Sequence, residues 1–122
     1  MIQKINKGSD LLIVLDLKDM NDVPYRVSDL NQFIIRFFTS NPDNYIEASY
    51  IDGVCNSITI KEDGDYVSLN ASDLIKLDSG ILNYTYSIRI QDSSFADGYY
   101  DEVIKGQTEL YIKSNCNCNE CL

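Results

Sequence analysis

Histidine and tryptophan are absent from this 122-residue chain, proline occurs only twice, and no apolar run approaches the ~20 residues that a helical bilayer span requires. Without histidine, the usual general base and the commonest transition-metal ligand are both missing. Basic residues are scarce as well: ten Lys and Arg face nineteen Asp and Glu, for a formal charge of −9. That balance argues against nucleic acid, whose phosphates need clustered Lys and Arg, and against an anionic membrane surface. The opening MIQKINKG has neither a long apolar segment nor a small-residue cleavage site, so no secretion signal is expected and synthesis in a cytoplasm is. Four cysteines are present, three of them in the last seven residues, which is not the spread of a disulfide framework. Cys55 stands alone and is expected to be small and buried or half-buried.

What the chain does have is alternation. In residues 82–91, Leu82, Tyr84, Tyr86, Ile88 and Ile90 alternate with Asn83, Thr85, Ser87, Arg89 and Gln91. Side chains of a strand point to opposite faces with period two, so this stretch lays down one apolar and one polar stripe. Five inward residues need a second layer over them, which predicts one sheet of an antiparallel sandwich. Residues 10–18 repeat the pattern with Leu11, Ile13, Leu15 and Leu17, while Leu12 and Val14 suggest partial cover on the other face. Residues 32–39 (QFIIRFFT) are apolar on both faces and rich in aromatic and β-branched types, as in a buried strand.

Further strands are expected over residues 2–6, at an edge, and over residues 45–51, 56–61, 66–70, 99–105 and 108–113. Between them, Asp52-Gly53, Asp63-Gly64 and Gly106-Gln107 read as turns, and residues 92–98 as a loop. One helical turn capped by Ser28 fits residues 27–31; a short helix capped by Ser72 and stopped at Gly80 fits residues 70–80. Residues 114–122 have no period and are expected to form a mobile tail. The expected fold is therefore all-β: an Ig-like antiparallel β-sandwich of about eight strands over residues 1–113, with one short helix and a Cys/Asn-rich tail over 114–122.

Candidate chemistry is sparse, and no enzyme activity or cofactor is expected. The carboxylates Asp63 with Asp65, and Asp92 or Asp97 with Asp101 and Glu102, lie in Gly- and Ser-containing loops where solvated turns are the simpler reading. Asp16, Asp19, Asn21 and Asp22 resemble a Ca²⁺ ligand run but lack the EF-hand spacing. Cys116, Cys118 and Cys121 supply three thiolates, one short of a closed Zn²⁺ site unless Cys55 joins them. Nine tyrosines suggest contact surfaces, because the ring is apolar and its tip polar. Tyr84 and Tyr86 fall on the inward stripe, leaving Tyr25, Tyr45, Tyr50, Tyr99, Tyr100 and Tyr111 as partner-facing candidates.

Lys7-Gly8-Ser9-Asp10 leading into an alternating strand, the turn at residues 19–25, the strand at 33–39, Leu77-Asp78-Ser79-Gly80-Ile81-Leu82 and Phe95-Ala96-Asp97-Gly98 form an ordered set. That order resembles the small β-sandwich modules of tailed-phage particles, including the N-terminal domain of baseplate upper proteins and the head-fibre proteins of crAss-like phages of Bacteroidales. Asp22 stands where the family has a turn glycine, and residues 114–122 have no counterpart in it. The resemblance implies a virion protein assembled in the host cytoplasm, a head-fibre or capsid-decoration component that self-associates as a dimer and docks on another virion protein. A carbohydrate-binding adhesion module is the alternative expectation; it requires two or three coplanar exposed aromatics.

Overall fold

A computed structural model describes residues 2–113, which hold eleven strands, one four-residue helix and one 3-10 turn. In chain order these are β1 (Gln3–Asn6), β2 (Leu11–Leu15), β3 (Leu17–Lys18), β4 (Pro24–Tyr25), the 3-10 turn (Val27–Asp29) and β5 (Gln32–Phe38). Then follow β6 (Ile46–Ile51), β7 (Val54–Asn56), β8 (Ile58–Lys61), β9 (Gly64–Leu69), α1 (Ala71–Leu74), β10 (Gly80–Gln91) and β11 (Tyr99–Lys113). The all-β class expected from the alternation is the one observed.

A six-stranded sheet runs β1-β11-β10-β5-β6-β7, antiparallel except where β1 joins residues 110–113 of β11 in parallel. A three-stranded sheet, β2-β9-β8, lies against it, and β3 with β4 forms a separate ribbon. One core joins them: Phe33, Ile35, Phe37, Leu82 and Ile112 of the wide sheet meet Ile58, Val67 and Leu69 of the narrow one, closed by Leu17, Val27, Leu30, Leu74 and Leu77. The inward stripe of β10 enters this core as expected; Leu82 and Ile88 are buried, and Tyr84, Tyr86 and Ile90 pack against it half-buried. Three strands cannot roof six. Among the described residues the wide sheet therefore keeps one end of its inner face, and its outer face, without a second layer.

Several local expectations are corrected. Residues 10–18 are not one strand: β2 joins the narrow sheet and β3 the ribbon, with Asp16 between them. Alternation specifies which face is apolar and is silent about which neighbour supplies the hydrogen bonds. Leu12 and Val14 are exposed, on the uncovered face of the narrow sheet. Strand β7 is additional; it pairs with β6 through Asp52-Gly53, whose φ angles of 48° and 85° are those of a two-residue primed hairpin turn. Ser57, at φ 63°, then redirects the chain into β8, and its carbonyl accepts the Ser68 N–H at 2.9 Å. Cys55 consequently sits exposed on a sheet edge.

Neither serine caps its helix. Arg26 precedes the 3-10 turn, and its N–H donates to the Asp29 carboxylate at 2.9 Å. Asn70 precedes α1, and the orphan N–H of Ala71 is accepted by Asp10 at 2.7 Å, a partner sixty-one positions away that local sequence does not announce. The expected turn at Gly106-Gln107 is absent, for β11 runs through it as one fifteen-residue strand. Gly106 lies opposite Tyr84, and a β-carbon there would overlap the tyrosine ring. The glycine marks a place where an aromatic ring lies on the backbone of the next strand.

Candidate functional site

The strand registers sort the exposed tyrosines onto two faces. On the outer face, Arg36 lies opposite Glu47 and Arg89 opposite Asp101. Arg36 Nε donates to Glu47 Oε1 at 2.9 Å, and its guanidinium lies 4.4 Å from the centre of the Tyr45 ring. Arg89 grips Asp101 through Nε and Nη2 at 2.8 and 3.1 Å and lies 4.7 Å from the Tyr99 ring. Both clamps have the same construction: a tyrosine two positions before a carboxylate, and an arginine across the ladder that bonds the acid and stacks on the ring. The bond from Arg89 holds the Asp101 carboxyl below its ordinary range, and bonds from the acids raise both arginines further. Tyr45 and Tyr99 thus stand 41% and 37% exposed yet held in place.

Between the clamps, Ile34, Ser49, Ser87 and Val103 form one cross-strand row, and Lys105 lies beside Thr85. Charge of both signs lies on this face, Arg36, Arg89 and Lys105 with Glu47 and Asp101. The two clamped rings do not make a platform. By register they belong to opposite ends of β10, near Asn83 and Gln91, which is about 27 Å of strand. A coplanar pair for a sugar is not assembled from them.

The inner face holds the other aromatics. Tyr50 and Tyr100 pack half-buried against the core, and Phe95 leans on Tyr100 with ring centres 5.6 Å apart; Tyr111, by contrast, alternates with buried Ile112 and so lies half-buried on the outer face, opposite Ile81 and Lys4. Where the narrow sheet ends, Ile88, Ile90 and Ile104 floor a trough of about 670 Å³, walled by Tyr25, Tyr86, Tyr100 and Glu102 and by the loop that starts at Asp19. Burial, reinforced by the neighbouring Tyr86, Glu102 and Asp19, pushes the Tyr25 phenol up to about 12. Burial raises Tyr86 too, and the Glu102 charge raises Tyr100. These phenols are neutral donors near pH 7. A smaller recess of about 230 Å³, walled by Ile13, Leu15, Phe37 and Tyr84, separates β2 from the wide sheet.

Most of the carboxylates considered for catalysis or Ca²⁺ have structural work. Asp65, 1% exposed, accepts Arg26 Nη2 at 2.7 Å and Val27 N–H at 2.9 Å, pinning the 3-10 turn to the narrow sheet. Asp63 accepts the Tyr66 hydroxyl at 2.9 Å. Asp19 takes the N–H groups of Asn21 and Val23, Asp92 that of Ser94, and Asp97 that of Tyr99, so each shapes its own turn. Among the described residues no three of Cys, Asp and Glu are grouped to hold a metal ion. Cys116, Cys118 and Cys121 lie outside the described residues.

Neither the clamps nor the trough is evident from the sequence alone. Tyr-x-acid occurs at Tyr45-x-Glu47 and again at Tyr99-x-Asp101, but only the ladder brings an arginine opposite each. The trough joins Tyr25 to Tyr86 and Glu102 across most of the chain. In comparisons with known proteins, no family model, no curated protein and no solved structure matches this chain.

Proposed function

We propose that this chain is a non-catalytic structural component of a bacteriophage particle, a head-fibre or capsid-decoration module with an Ig-like sandwich, which self-associates and docks on another virion protein. The observation that carries the contact part is the outer face of the six-stranded sheet, over which no second layer lies among the described residues. Five interstrand spacings make it about 24 Å across, and β10 makes it about 40 Å long, enough to supply the ~600 Å² per partner of a small stable interface. Tyrosine and arginine are the residues enriched in such contacts, and both clamps hold them with little rotamer freedom left to lose. Three cations, Arg36, Arg89 and Lys105, against two acids, Glu47 and Asp101, let two copies approach through this face in spite of the net −9. The particle setting rests on the resemblance of the turns and strands to phage modules, and the carboxylates engaged in turns and ion pairs support a role without turnover.

Light scattering on the isolated chain tests self-association. The expected mass is twice the 13.9 kDa of one chain. Ser87→Arg, placed at the middle of the outer face between Ile34 and Val103, returns it to one chain mass with an unchanged circular dichroism spectrum. A wild-type chain that stays at one chain mass at millimolar concentration contradicts the dimer.

A further inference from the structure

The trough adjoins an open sheet edge. Strand β11 is fifteen residues long, but β1 covers only residues 110–113; residues 99–107 have β10 on one side and no strand on the other among the described residues. The inward side chains of that open stretch, Tyr100, Glu102 and Ile104, are the ones that wall and floor the trough. An extended segment laid along β11 would complete the ladder and send every second side chain inward over the trough.

The lining specifies what those side chains are. The floor is aliphatic, while Asp19, Asp29, Asp92 and Glu102 surround it with Lys18 as the one cation among the lining residues. The turn bonds engage Asp19 Oδ1, Asp29 Oδ2 and Asp92 Oδ1, so each of these carboxylates keeps a second oxygen for an incoming donor. Deepening the docking role proposed above, we infer that the β11 edge and its trough receive an extended segment of a partner polypeptide in which lysine or arginine alternates with aliphatic residues. The alkyl stem of each inward lysine lies on the Ile88 and Ile104 floor with its ammonium at the carboxylate rim, while the alternate aliphatic side chains point to the other face and lie beside exposed Val103. A second copy of this chain is a poor occupant, because its own β11 would bring Glu102 to an already acidic site.

Three synthetic heptapeptides test this by NMR on the whole chain: one alternating lysine with isoleucine, one glutamate with isoleucine, one lysine with serine. The lysine–isoleucine peptide is expected to shift the amides of residues 99–107 and the methyls of Ile88 and Ile104. The glutamate peptide leaves them unmoved, and the lysine–serine peptide binds at least five-fold more weakly. Glu102→Gln, which keeps an acceptor for Tyr100, weakens the lysine–isoleucine peptide about five-fold, and added salt weakens it further. Equal binding of the glutamate peptide, equal binding of the serine peptide, shifts confined to the outer face, or no shift at millimolar peptide each overturns the inference. Such failure leaves the particle role standing, because self-association and presence in particles are measured separately.

Discussion

Asp65 shows how much one side chain does in this protein. It is a carboxylate among core residues, stabilised because Arg26 and the Val27 N–H both donate to it. Replacing it with alanine strands the Val27 N–H, which alone costs about 2 kcal/mol. The urea midpoint of Asp65→Ala should fall accordingly, and that of Asp65→Asn, which keeps an acceptor, by less. Tyr25 sets a limit at the alkaline end. Its phenol ionises near 10 in an unfolded chain and near 12 in the folded one, so the fold favours the protonated form. The stability linked to it is complete below pH 10 and is lost as pH rises from 10 towards 12. Urea midpoints measured from pH 8 to 11.5 should decline over that window, and the decline should be shallower in Tyr25→Phe. A decline of equal depth in that variant contradicts the assignment.

At the scale of elements, Gly106 separates what the sequence made legible from what it did not. The run that became β10 was readable residue by residue, because period-two alternation is a local signal. The continuity of β11 was not. A glycine between two alternating runs resembles a turn, and only the position of Tyr84 on the neighbouring strand explains it. The same limit applies to β2 and β3, whose shared alternation conceals a change of sheet, and to α1, whose first N–H is satisfied by distant Asp10. The clamps and the trough are non-local in the same sense, built from residues that meet only after the registers are set. Gly106→Ala should destabilise the fold by about 1–3 kcal/mol, since the new methyl overpacks against the Tyr84 ring. Most of that cost should vanish when the change is made in a Tyr84→Ala background, a coupling readable from a double-mutant cycle.

For the whole molecule, the mismatch between a six-stranded and a three-stranded sheet explains most of its surface. The narrow sheet roofs the part of the wide one that carries Phe33, Ile35 and Phe37, and leaves the Ile88–Ile104 end to a trough. Among the described residues nothing layers over the outer face, which carries both signs of charge and the held tyrosines, while the trough is acidic. The two proposed neighbours differ accordingly: a second copy on the outer face, and a basic, extended segment along β11. Cross-linking mass spectrometry on phage particles purified from cells that produce this chain tests the central claim most directly. The account predicts cross-links from Lys105, on the outer face, both to a second copy and to another structural protein of the particle. Particles produced from cells expressing the chain but lacking it altogether would contradict the account.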